Sequence, residues 1–90
     1  MSDCRAVRLA ALLRAGGARF EVVGGTARHL AGDPRVPRDL DVAVRPDDVE
    51  ALAVALGGVG AVLDPARARR LRVLRVDTAY GPLDVFVGAA

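Results

Sequence analysis

Glycine and proline punctuate this chain so often that only short elements fit between them. The 90 residues contain 10 Gly and 5 Pro, and each marks a place where a helix or strand is expected to stop or turn. A chain of this length buries only about 60–65% of its unfolded surface, enough for one core. There are no repeats and no long linker, so residues 1–90 are expected to form a single domain. Hydrophobic residues reach 52% while aromatics are 3%, so Val, Leu and Ala must build that core. A stacking platform for single-stranded bases is not expected from so few rings.

Between the breakers the patterns alternate in type. Residues 3–15 read as a helix with Ser2 or Asp3 as its cap, an apolar face of Leu9, Leu12 and Leu13, and Gly16-Gly17 as its stop. Phe20 to Val23 reads as a short strand ending at Gly24-Gly25, and Thr26 to Ala31 as a short helix. Two prolines make residues 32–38 a loop. From Asp39 to Arg45 the chain alternates, with Leu40, Val42 and Val44 on one side and Asp39, Asp41, Ala43 and Arg45 on the other. A helix follows, with Asp47 and Glu50 spaced as a capping box, a stripe of Val49, Leu52, Ala53 and Leu56, and Gly57-Gly58 as its end. Val59 to Leu63 suggests a short strand, Arg67 to Arg70 fits helix or strand, and Leu71 to Asp77 reads as strand. Tyr80-Gly81-Pro82 suggests a turn into a final strand, Leu83 to Val87, paired with the one before. The expected fold is α+β, α/β-like in its order, with helices packed on a small mixed β-sheet.

Several chemistries are excluded. The single Cys4 cannot form an internal disulfide, and with His29 alone beside it there is no zinc set. All 13 basic residues are Arg, so the lysine of a P-loop is absent. Against 11 acids they leave a net charge of +2, too small to argue for a nucleic-acid coat. No apolar run is long enough to span a bilayer, and the start of the chain lacks a signal peptide's apolar stretch, so a cytoplasmic location without membrane contact is expected.

Three features carry chemistry. Val22-Val23-Gly24-Gly25-Thr26 runs from strand through paired glycines into helix, where a backbone can approach a phosphate, although such turns are common. Asp39-Leu40-Asp41 sets two carboxylates on one face of a strand, roughly 6.6 Å apart. They either hold a divalent cation, face water, or lie against Arg38 or Arg45. Asp84 sits within the apolar run Leu83–Val87 and is the candidate third acid, with Asp77 its competitor.

Together these resemble the nucleotidyltransferase superfamily typified by DNA polymerase β. Its signature is a hydrophobic residue, Gly, then Gly or Ser, a spacer, an Asp-hydrophobic-Asp-hydrophobic run and an acid on a later strand. Here Val23-Gly24-Gly25 is followed by residues 26–38 and then Asp39-Leu40-Asp41-Val42. The stretch from Val23 to Gly32 looks like the head of CCA-adding enzymes and poly(A) polymerases, with His29 where that head carries Asp. It is also similar to the minimal nucleotidyltransferases of toxin–antitoxin systems. The resemblance implies a nucleotidyltransferase fold and Mg²⁺ held by Asp39, Asp41 and Asp84 as catalytic carboxylates. It further implies nucleotide binding by Gly24, Gly25, Thr26 and Arg28. The implied reaction moves a nucleoside monophosphate from a nucleoside triphosphate to a hydroxyl on RNA, tRNA-like, or on protein. A cognate partner protein is a further expected associate. The alternative, given the small size, is a catalytically idle binding module of the same fold. His29 is assigned no role. The basic run Arg67, Arg69, Arg70, Arg72 and Arg75 is expected to be a solvated edge, with guidance of an RNA acceptor as its other use.

Overall fold

A computed structural model describes residues 4–88. Helix α1, Arg5–Ala15, is followed by strand β1, Glu21–Val23, and helix α2, Gly24–Leu30. Strand β2, Leu40–Val44, leads through a 3₁₀ turn at Pro46–Asp48 into α3, Val49–Gly58. Helix α4, Pro65–Leu71, and the hairpin of β3, Val73–Thr78, and β4, Gly81–Val87, complete the order. The chain is an α+β fold whose four-stranded mixed sheet has the order β1-β2-β4-β3. β1 runs antiparallel to β2, β2 parallel to β4, and β4 antiparallel to β3.

The alternation read in the sequence decides the sheet's two faces. Leu40, Val42 and Val44 are buried, as are Leu83, Val85 and Val87, their partners in register on β4. This apolar face meets Leu9 and Leu13 of α1 and Leu52 and Leu56 of α3 in one hydrophobic cluster. Each of those four leucines is fully buried, and burying a leucine contributes about 1.5–3 kcal/mol. The opposite face of β2 and β4 carries Asp41, Ala43, Asp84 and Phe86.

The structure corrects several local expectations. The caps assigned to Ser2 or Asp3 lie outside the described residues; α1 starts after Cys4, whose side chain does not cap the helix but donates Sγ–H to the Pro37 carbonyl. Leu12 is exposed rather than part of the core stripe, and Ala6 and Ala10 take that place. No Asp47–Glu50 capping box forms. Asp48 occupies the cap position of α3 without a side-chain bond, and Glu50 instead pairs with Arg69 of α4. Val59 to Leu63 is not a strand. The cause is the way α3 ends: Ala61 N–H returns to the Leu56 carbonyl and Gly60 N–H to that of Gly57. That closure needs a left-handed residue at Gly60, which has φ +80°. The segment thus turns back on its own helix before it can meet a strand. α1 and α2 stop by the same pair of bonds, Ala18 to Leu13 and Asp33 to Arg28 being the long member. Arg67 to Arg70 is helical, and so is Leu71, which moves the start of β3 to Val73. The turn lies at Ala79-Tyr80, so Gly81 and Pro82 already belong to β4.

Candidate functional site

The acids of the Asp-Leu-Asp run meet the third acid because β4 pairs with β2 in parallel. The register sets Asp41 beside Asp84 and Leu40 beside Leu83. One strand further out, β3 sets Arg75 beside Asp84. On the other flank, β1 sets Val23 beside Asp41, and the chain turns there into α2 through Gly24. Residues from four separate stretches therefore share one patch on the uncovered face of the sheet.

Gly24 fits tightly into it. Its φ is +65°, and a Cβ added there would overlap Asp41 Oδ2. Only glycine provides both the left-handed backbone and the room for that carboxylate. Gly25 is under no such demand, since a Cβ there would make only ordinary contacts with Arg28 and Pro37.

Electrostatically the patch is acidic with one cation in it. Arg75 Nε donates to Asp84 Oδ1 at 2.9 Å, and its Nη2 donates to Asp84 Oδ2 at 3.1 Å and to Asp39 Oδ2 at 2.9 Å. A guanidinium gripping a carboxylate with two nitrogens is the strong, orientation-specific form of this pair. Asp41 is a half-buried carboxylate. Burial, then the adjacent Asp84 and the charge of Asp39, push its carboxyl above the ordinary Asp value, and Arg75 offsets this only in part.

Two assigned residues lie elsewhere. The Thr26 side chain is fully buried, and its hydroxyl donates to the Asp39 carbonyl at 3.0 Å. The hydroxyl thus ties α2 to the approach of β2 and so positions Asp39. Arg28 lines a shallow hollow of about 200 Å³ with Gly25, Asp33, Arg35, Val36 and Pro37, which contains none of the three acids. A hollow of about 490 Å³ at the far end of β2, around Phe20, Ala43 and Arg45, also excludes them. In the acid patch the side chains of Asp39 and Asp84 keep 37% and 20% of their surface exposed. Asp77, the competing acid, is exposed on the outermost strand opposite Pro82. His29 directs Nδ1 at the Asp33 carbonyl, 2.9 Å away, within its own loop.

Sequence reasoning missed Arg75, which it grouped with the solvated basic run. The available signal was alternation: Arg75 stands between Val73 and Asp77 on one side of a strand expected to pair with the one bearing Asp84.

As it stands, the patch is held together by Arg75. Among the described residues no three acidic, histidine or cysteine side chains are already gathered as a metal cage. The donor set nevertheless has the chemistry of a hard divalent-cation site: carboxylate oxygens from neighbouring strands, and a guanidinium standing where positive charge is needed. Among the described residues no helix is long and apolar enough to cross a membrane. No protein-family model, curated protein or solved structure matches the chain.

Proposed function

We propose that the chain is a metal-dependent nucleotidyltransferase module working in the cytoplasm. The reading rests on one observation above all: Asp84, far away in sequence, lies in register beside Asp41, next to the Gly24 turn that the motif requires. Asp39, Asp41 and Asp84 would hold Mg²⁺. When bound, the cation neutralises charge on the reacting phosphate and lowers the pKa of the acceptor hydroxyl.

The acceptor is a hydroxyl on RNA, tRNA-like, or on a protein. Its oxygen forms a bond to the α-phosphorus of a nucleoside triphosphate, the bond from that phosphorus to the bridging oxygen breaks, and pyrophosphate leaves. The hydroxyl proton passes to a carboxylate of the patch, Asp84 being the acid on the acceptor side, and then to water. The Gly24-Gly25 turn lets the polyphosphate approach the backbone, and Arg28, beside Gly25 in the adjoining hollow, is the cation available to its far end.

The test is transfer of label from nucleoside triphosphates to total RNA or to a protein acceptor in the presence of Mg²⁺. The Asp39→Ala/Asp41→Ala variant is expected to lose on the order of 10²-fold or more of the rate. Absence of transfer, or equal transfer by the variant, rejects the enzyme. One observation favours the alternative, an idle binding module such as a toxin–antitoxin component with a cognate partner protein: Arg75 already pairs with both Asp39 and Asp84 from within. That reading expects a partner complex indifferent to the same double substitution.

A further inference from the structure

Arg75 occupies the oxygens a cation needs. Three of the four carboxylate oxygens of Asp39 and Asp84 accept hydrogen bonds from its guanidinium. A divalent ion draws on the same oxygens and is repelled by the guanidinium's charge, so each weakens the other's hold on them. Arg75 is also built to leave. Its side chain is 56% exposed, and β3 is the outermost strand, so rotation about its own bonds carries the guanidinium into solvent with no backbone rearrangement.

We propose that Arg75 is an internal counter-ion that competes with the divalent cation for Asp39 and Asp84, offsetting part of their charge until a cation displaces it. This rests on the metal-binding reading above and adds to it a regulation: cation affinity is set low by a tethered competitor. It also accounts for how three acids can share one sheet face in the absence of metal. With Arg75 engaged, Asp41 is left as the carboxylate without a guanidinium partner among the bonds of the patch. Release of Arg75 requires either a cation to take over its partners or an anion, such as a polyphosphate, to draw the guanidinium away.

The experiment measures Mn²⁺ binding to the full chain by the loss of the free-ion electron paramagnetic resonance signal. Arg75→Gln is expected to bind Mn²⁺ about three- to tenfold more tightly than the unaltered chain, the scale on which exposed arginine–carboxylate pairs act. Arg75→Lys, which keeps the charge but loses the fork, falls between them. Arg70→Gln removes the same charge from an exposed site on α4 and is expected to change the affinity less than about twofold. Equal or weaker binding by Arg75→Gln, or an equal gain from Arg70→Gln, overturns the competition. In that case Mn²⁺ binding that Asp39→Asn abolishes still leaves the metal site standing. If neither the unaltered chain nor Arg75→Gln binds Mn²⁺ at millimolar concentration, both readings fall. Far-UV circular dichroism checks folding; if Arg75→Gln does not fold, Arg75→Lys decides, and no gain in its affinity overturns the proposal.

Discussion

Asp41 holds a half-buried carboxylate beside Asp84 and two residues from Asp39, so burial and like charge together favour its protonated form. The consequence for stability follows from linkage. Below the ordinary Asp value of 3.8 the residue is protonated in folded and unfolded chains alike and carries no penalty. As pH rises from there to the higher folded value, the unfolded chain releases a proton that the folded one retains, and stability is lost. Above that value the loss is complete. Asp41→Asn is therefore expected to raise the melting temperature by a few degrees at pH 7, and the gain should disappear below about pH 3.8. Melts of both chains from pH 3 to 8 check this; a less stable variant at neutral pH would show that Asp41 is favourably paired. Asp39 and Asp41 were legible because their spacing is local. Arg75 was not, since its partner is set by the register of a hairpin that no short window contains.

At the level of elements, even local signals were read unevenly: the Asp47–Glu50 capping box does not form, and the cap that opens α4 was not singled out. Helix α4 starts at Asp64, whose Oδ1 accepts from Ala66 N–H at 3.1 Å and Arg67 N–H at 3.3 Å, with Pro65 at the first helical position. Asp64→Ala is expected to cost about 1 kcal/mol, the usual worth of such a cap. Because α4 bears Arg69, which reaches the Pro46 carbonyl at 3.2 Å and pairs with Glu50, the same change should loosen the α3–α4 contact. Urea unfolding gives the energy, and hydrogen exchange at Arg67–Leu71 locates it. A loss confined to other elements would reject the cap as its origin. The Val59–Leu63 run shows where local reading fails. Ala61 and Leu63 are buried and Val62 is exposed, an in-and-out pattern indistinguishable from a strand's. What the segment lacks is a neighbour: β1 and β3 form the sheet's edges, and the Gly60 turn directs the chain toward α4 instead.

For the whole molecule, the decisive event is the insertion of β4 between β2 and β3, which brings the end of the described chain beside its middle at the centre of the sheet. The fold class was readable from the succession of periodicities, but strand order was not, because it depends on contacts far apart in sequence. The same insertion builds the core and the site together, since Leu83 meets Leu40 on the buried face while Asp84 meets Asp41 on the open one. A chain of 90 residues holds a reserve of only about 0.05–0.15 kcal/mol per residue. Leu83→Ala, at a fully buried position, is expected to remove about 2–5 kcal/mol of it. Val62→Ala, 87% exposed, should stay within about 0.5 kcal/mol. Urea midpoints compare the two directly. Where Leu83→Ala still folds, its Mn²⁺ affinity should also fall, because the alignment of Asp41 with Asp84 depends on the strand pairing that Leu83 supports. Equal midpoints for the two variants would mean that the parallel pair is not the centre of the core, and would remove the structural basis for the convergence of the acids.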